Sequence, residues 1–327
     1  MQAEANVPLA PLTTFGLGGP ARRLIRIKTV EALQESLDYA RDHKLATLML
    51  GGGSNMLVDD AGFDGLVIKI ELMGVEREGD MLIAGAGESW DTLVERAVAE
   101  GLWGIENLSG IPGTVGAAPV QNIGAYGAEL KDTLAWVEIF DSKQGTVARL
   151  ANEECGFGYR SSRFKREGGV VVLRAAFRLN KNGAPNTTYK DLAGSESNTL
   201  AEIRQKVLAI RSQKFPDLSR EGTAGSFFLN PVVSAEKAAQ LAAQYGEMPQ
   251  YAVEGGTKLS MAWLLDHALG VKGMAVGGAR LYERQPLVIV ASRTARSADV
   301  QELAEKIKAL AKEKLYLEIE EEVRIIS

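Results

Sequence analysis

Between Gly110 and Gly127 the chain reads GIPGTVGAAPVQNIGAYG, with glycine at 110, 113, 116, 124 and 127 and proline at 112 and 119. That spacing predicts a segment with no helix, because glycine is costly to order and proline removes an amide donor. The stretch also carries almost no charge. An uncharged loop of small side chains suits backbone donors and apolar faces wrapped around a flat ligand. A surface Ω-loop is the other reading.

A second cluster, Gly51-Gly52-Gly53-Ser54-Asn55, follows directly on the short apolar run at 46–50. Successive glycine amides with two side-chain donors can form an anion-binding nest, and a tight β-turn is the alternative. Position 56 is Met and no GK[ST] follows, so neither a G-x-G-x-x-G fingerprint nor a Walker loop is present. The 35 glycines among 327 residues are roughly 11% against an average near 7%, and the excess is clustered.

A chain this long exceeds what one core supports, so two or three domains are expected. Residues 21–28, 46–50 and 66–70 read as strands, and 30–42 as a helix capped by Thr29. A second block has strands at 81–86, 135–140, 146–150 and 170–179, with helices at 90–100 and 200–213. Beyond Pro216 come helices at 235–244 and 258–269 and a buried strand at 287–291. Val300, Leu303, Ile307 and Leu310 then share one helix face, and 315–326 reads as a terminal strand.

The formal charge is −5 and the pI about 5.4, so no field draws in nucleic acid or an acidic membrane. An anionic substrate must be held by local cations. The only cysteine, Cys155, excludes a disulfide framework and a thiolate metal cage. No run of about 18 apolar residues occurs, so no membrane insertion is expected and the cytoplasm is the expected compartment. His43 and His267 have no H-x-x-x-H or H-E-x-x-H partner, which disfavours a zinc site or a histidine triad. No metal is expected.

Arg160, in Gly158-Tyr159-Arg160, offers a fork able to hold a carboxylate, or is a solvated surface residue. Ser226 sits between Gly225 and two phenylalanines without a G-x-S-x-G elbow, as a turn serine would. The tail LEIEEEVR places Glu320 and Glu322 on one strand face and Glu321 on the other. A solvated acidic edge is the plainer reading.

Taken together, TTFGLGG, GGGSN, ENLSGIPGTVGAAPVQNIGAYG, CGFGYRSSRFK, RSQKFPD, GTAGSFFLNPV and EEEVR resemble the UDP-N-acetylenolpyruvoylglucosamine reductase family, in its order and over nearly the whole chain. The resemblance implies an α+β protein with the two-subdomain FAD-binding fold of the vanillyl-alcohol-oxidase-like type plus a C-terminal α/β substrate domain. Subdomain 1 would span 1–70, subdomain 2 would span 71–215 joined by the terminal strand 315–327, and the substrate domain 216–314. NADPH would reduce FAD, which would pass hydride to the enolpyruvyl group of a UDP-sugar on the way to peptidoglycan.

By motif position, Ser226 resembles the proton donor, and Arg160 and Glu322 the groups that polarise the substrate carboxylate and steady the enolate. FAD contacts would come from Gly51, Gly52, Gly53, Ser54, Asn55, Gly113, Thr114, Gly116, Ala117 and Gly124. Tyr126, Tyr189, Arg211, Lys214, Asn230 and Gln285 resemble positions that hold the sugar nucleotide and position NADPH.

Two departures stand out. Glu321 occupies the place where the family often has proline, and Tyr189 lies in YKDL rather than YGDL, within what resembles the tyrosine-loop subclass. Another FAD-dependent oxidoreductase of the same fold and a non-catalytic sugar-nucleotide binder are the competing readings. A serine hydrolase built on Ser226 lacks a suitably placed histidine.

Overall fold

In the computed structural model, which describes residues 3–194 and 199–327, Thr29 takes extended backbone and its side chain accepts a hydrogen bond from the Ala32 amide at 3.2 Å. This cap starts α1, Val30–Asp42. Leu33 and Ala40 of α1 pack on Ile25, Ile27, Leu66, Ile68 and Ile70. Those are alternate residues of the strands Pro20–Ile27 and Phe63–Ile70, as a strand with one face against a helix requires. The sheet order is Glu4–Pro8, Pro20–Ile27, Phe63–Ile70 and Ala46–Leu50, the last two parallel.

A second sheet runs Thr146–Ala151, Leu134–Asp141, Val170–Arg178, Met81–Gly85 and Val75–Glu78, antiparallel throughout. Helix α2, Trp90–Ala99, starts at Ser89 and buries Trp90, Leu93, Val94 and Ala97. The Trp90 indole meets Phe177 edge-on at 5.4 Å, and its Nε1 donates to the Leu108 carbonyl at 3.0 Å. Phe140, Val171 and Leu173 of this sheet join the core beneath α1. Residues Ala21–Gly53 and Asp64–Arg211 accordingly cluster in one unit, together with the first strand.

The glycine-rich stretch does contain a helical turn, contrary to expectation: α3, Ala118–Gln121. Pro119 falls in the first turn, where its missing amide costs nothing. Asn122 then ends the turn in the left-handed region at φ 46°. Two further helices, α4 at Arg163–Glu167 and α5 at Leu200–Lys214, follow.

The second unit gathers Pro8–Pro20, Ser54–Phe63 and Ser212–Ser327. Helices α6, Ala235–Tyr245, α7, Met261–Trp263, and α8, Ser297–Leu310, share its core with the strands Ala279–Tyr282 and Gln285–Ala291. Phe227, Phe228, Leu281, Ile289, Leu303 and Ile307 sit at its centre.

The helix expected over 258–269 begins later, since Gly256–Leu259 is a strand and Ser260 caps α7. Of the strand expected at 315–326 only Arg324–Ile326 enters a ladder, parallel to Met56–Val58. The alternation is real, because Leu315, Leu317 and Ile319 are buried and Tyr316, Glu318 and Glu320 exposed. Among the described residues no helix is long and apolar enough to cross a membrane, and no group of three side chains is arranged to hold a metal ion.

Candidate active site

The predicted residues fall into two sets, each built within one unit. In the first, the two glycine clusters abut. A Cβ on Gly52 would stand 2.6 Å from the Gly113 Cα, and one on Gly51 2.7 Å from the Thr114 hydroxyl and 3.3 Å from the Ala117 Cβ. These glycines are required by backbone meeting backbone. Gly116 approaches Ala86 as closely, and its amide donates to the Ala86 carbonyl at 3.0 Å. Thr114 Oγ1 is buried here with no hydrogen-bond partner among the described residues. Lys69, on the strand beside Leu50, donates to the Gly51 carbonyl. Burial holds the Lys69 ammonium below its ordinary range, with Glu71 opposing that shift and Arg26 adding to it.

Arg160 lies in the left-handed region at φ 50°, a conformation a side chain seldom adopts unless held there. Its Nη2 donates to the Gly124 carbonyl at 2.6 Å, and the Arg160 carbonyl accepts from the Lys165 ammonium at 3.2 Å. Buried Asn122 ties this corner together. Its Nδ2 donates to Glu129 and to the Gly158 carbonyl, each at 3.1 Å, and its Oδ1 accepts from the Lys131 amide. Burial pushes the Glu129 carboxyl up, but Lys131, Asn122 and Arg160 outweigh it and hold it below its ordinary value. Arg160 and Gly124, predicted as catalytic and cofactor groups, are thus in direct contact.

Tyr126, Tyr189 and Arg211 also converge. The two tyrosine rings meet edge-on at 5.6 Å, and Arg211 is hydrogen-bonded to Tyr126. Burial presses the Arg211 guanidinium below its ordinary range, against the pull of Tyr126 and Asp91. Asn107 anchors this cluster. It is 1% exposed, and its Nδ2 donates to the Tyr126 and Asn186 carbonyls at 2.8 Å each. Its Oδ1 is buried and unpartnered among the described residues.

The second unit carries Ser226 and Glu322. Gly225 has φ 82°, which turns the chain so that Ser226 bridges Val288 while the Phe227 amide donates to the Leu287 carbonyl at 2.8 Å. On the other side the Glu322 amide donates to the Phe227 carbonyl at 2.8 Å and Phe228 bridges Glu321. The segment is therefore laced on both edges, with Phe227 and Phe228 edge-on at 5.2 Å beneath it. The Glu321 carboxylate accepts from Lys308 of α8 at 3.3 Å. The Asn55 side-chain Nδ2 donates to the Glu322 carbonyl at 3.1 Å, and the end of the GGGSN turn, Ser54 and Asn55, lies in this unit.

Asn230 has a structural duty, its Oδ1 accepting from the Met261 amide at 2.9 Å. Gln285 opens the buried strand that pairs with Tyr282, and half-buried Lys214 ends α5.

Sequence reasoning missed Asn107, Asn122, Lys69 and the Asp91–Arg204 pair. For Asn122 a signal existed, since asparagine is among the few side chains that tolerate the left-handed region. The others are identified only by what folding places against them.

Residues 21–151 match the FAD binding domain family, and residues 217–326 match the family described as UDP-N-acetylenolpyruvoylglucosamine reductase, C-terminal domain. A protein of Chromobacterium violaceum named UDP-N-acetylenolpyruvoylglucosamine reductase is 41% identical, with 100% of this chain and 99% of that protein covered. One of Neisseria gonorrhoeae with the same name is 43% identical over 92% of this chain and 90% of that protein. The crystal structure of UDP-N-acetylenolpyruvylglucosamine reductase from Thermus caldophilus covers both chains completely at a TM-score of 0.73 and 28% identity.

Proposed function

The chain belongs to the UDP-N-acetylenolpyruvoylglucosamine reductase family, and from that premise we propose that it delivers the proton to the enolpyruvyl group of UDP-N-acetylglucosamine enolpyruvate from Ser226. The enzyme is an FAD-dependent oxidoreductase, a UDP-N-acetylmuramate dehydrogenase of peptidoglycan synthesis that uses NADPH. FAD, once held, would supply hydride derived from NADPH to the terminal carbon of the enolpyruvyl alkene.

The residues in place fit such a cofactor. Thr114 Oγ1 is a buried polar atom left over for a ligand, beside uncharged walls built from Gly51, Gly52 and Gly113. Gly51 to Asn55, Gly113, Thr114, Gly116, Ala117 and Gly124 would hold it.

Hydride addition pushes negative charge toward the substrate carboxylate, where a preplaced cation helps most. Arg160 has that role, its fork anchored through one nitrogen on Gly124 so that it meets a carboxylate already oriented. The neighbouring carbon then takes a proton from Ser226 Oγ. Serine is a weak acid and serves only against a strongly basic carbon. Its segment is paired on both edges, which fixes where the Ser226 backbone stands. Glu322, its backbone held by the Phe227 carbonyl, is the second group assigned to steady the developing enolate.

The sugar nucleotide is assigned to Tyr126, Tyr189, Arg211, Lys214, Asn230 and Gln285. The edge-on contact of Tyr126 and Tyr189 supports the tyrosine-loop subclass. We further propose three working parts, residues 1–70 and 71–215 around FAD and 216–314 for substrate.

The observation that supports the reading is backbone pairing between the Ser226 and Glu322 segments, which brings two motif segments distant in sequence side by side. The test is direct. Purified yellow enzyme is bleached anaerobically with NADPH and then given the enolpyruvyl sugar. Return of colour with one equivalent of product is expected. No response to that sugar, with rapid reoxidation by oxygen, would point to an oxidase of the same fold.

A further inference from the structure

Arg160 stands third in a four-residue turn, and that turn is fastened at both ends to one short helix. The Gly158 amide donates to the Ser161 carbonyl at 3.0 Å and the Ser161 amide to the Gly158 carbonyl at 3.2 Å, which closes Gly158-Tyr159-Arg160-Ser161 on itself. At its entry, Asn122 at the end of α3 donates through Nδ2 to the same Gly158 carbonyl at 3.1 Å. At its exit, Ser162 Oγ donates to the Val120 carbonyl of α3 at 2.7 Å. Asn122 and Ser162 are both fully buried, so neither bond is exchanged with water while the fold holds.

Asn122 does more than hold one end. Nδ2 also donates to the Glu129 carboxylate, and Oδ1 accepts from the Lys131 amide, each at 3.1 Å. One side chain therefore spans α3, the stretch at 129–131 and the turn that carries Arg160. Glu129 in turn pairs with Gly124 in a two-rung antiparallel ladder. The Gly124 carbonyl is the acceptor for Arg160 Nη2 at 2.6 Å. A Cβ on Gly124 would stand 3.0 Å from Arg160 Nη1 and 3.1 Å from Glu129 Cγ, so the guanidinium and the Glu129 stem flank that glycine closely. The turn that carries the cation and the carbonyl that receives it thus share a common anchor.

We infer that Asn122 is a positioning residue for Arg160, fixing at once the turn that carries the guanidinium and, through Glu129, the Gly124 carbonyl that orients it. Ser162 secures the far end of the same turn. The inference rests on the role given to Arg160 above. The expected defect is selective. Reduction of the enolpyruvyl group needs the guanidinium at the substrate carboxylate, whereas bleaching of the flavin by NADPH does not.

The test uses flavin-loaded enzyme, with melting recorded for each variant. Asn122→Gly keeps the left-handed backbone without steric cost and removes all three side-chain bonds. In stopped-flow absorbance it should slow reoxidation by the enolpyruvyl sugar about tenfold to a hundredfold, the effect of displacing a reacting group by about 1 Å. Bleaching by NADPH should stay within about twofold of the parent. In calorimetry the same variant should bind UDP-N-acetylmuramate, whose carboxylate Arg160 would grip, about tenfold more weakly and UDP as the parent does. If Asn122→Gly does not fold, Ser162→Ala carries the test, with the same selectivity at about threefold to tenfold.

The pair must also act as a unit. Adding Asn122→Gly to Arg160→Ala should slow reoxidation by no more than about twofold further. Equal slowing of both half-reactions, equal weakening of UDP-N-acetylmuramate and UDP, or a full additional loss on top of Arg160→Ala would each overturn the inference. Arg160→Ala alone separates it from its premise. Normal reoxidation in that variant removes Arg160 from the mechanism; slow reoxidation there, with normal reoxidation in Asn122→Gly, removes only the role of Asn122.

Discussion

The Glu322 amide donates to the Phe227 carbonyl at 2.8 Å, so Ser226 and Glu322 hang from neighbouring rungs of one backbone pairing. A shift of one residue in that pairing would turn each side chain to the opposite face. The buried edge-on contact of Phe227 with Phe228 opposes such a slip.

Ser226→Ala should leave flavin bleaching by NADPH nearly unchanged and slow reoxidation by the enolpyruvyl sugar by roughly 10²–10⁴, the usual range for a lost proton donor. Stopped-flow absorbance of the two half-reactions checks this. Equal loss in both would assign Ser226 to the fold instead.

The three consecutive acids of the tail separate by their partners. Glu321 pairs with Lys308, the two side chains 22% and 34% exposed. Glu321→Gln should therefore cost stability of about 1 kcal/mol or less and leave turnover intact. Glu322→Gln should melt like the parent and slow only reoxidation. The opposite pattern in melting curves and stopped-flow traces would transfer the role to Glu321.

Gly52→Ala would force a methyl to within 2.6 Å of the Gly113 Cα, where neither backbone can move aside independently. A loss of about 1–3 kcal/mol is expected from such overpacking. Flavin content per chain, read from the ratio of visible to ultraviolet absorbance, should fall with it. Full retention of flavin at parental stability would contradict the close approach of the two loops.

Cys155 is buried and its Sγ donates to the Ala151 carbonyl at 3.3 Å. Burial, offset in part by Arg163, pushes the thiol up to about 12 from 9.0. At pH 9 an ordinary thiol would be half thiolate while this one stays protonated. Iodoacetamide should spare it in the native protein and modify it quickly in denaturant, as mass spectrometry would register.

Glu106 is 3% exposed, and burial raises its carboxyl despite hydrogen bonds from the Gly104 amide and its own. For an acid raised in the folded state, ionisation favours unfolding. Its stabilising contribution is full below the unfolded value of 4.5 and fades as pH climbs through the folded one. Glu106→Gln should accordingly raise the melting temperature at pH 7 relative to parent, the gain vanishing near pH 4. A pH-independent difference would reject this account.

What could be read from the residues alone was local. Thr29 marks a helix start because a cap acts within three residues, and α1 begins where that residue places it. Alternation in the tail was legible, while its ladder was not, since the partner Met56–Val58 is three residues long. The turn at Ala118–Gln121 is not legible in the sequence, because proline reads as a breaker until its place in a first turn is known. Site residues carried by motif were legible; those acting through tertiary contacts were not. Asp91 and Arg204 stand 113 positions apart, and nothing local to either announces the other.

The parallel pairing of Met56–Val58 with Arg324–Ile326 sets a schedule for biosynthesis. A nascent polypeptide leaving the ribosome carries the early strand without its mate until Arg324–Ile326 emerge, and the Ser226 segment waits nearly as long for Glu320 to Glu322. Unfinished chains therefore expose apolar edges and lack the pairing between the Ser226 and Glu322 segments, which leaves them to chaperones and proteases.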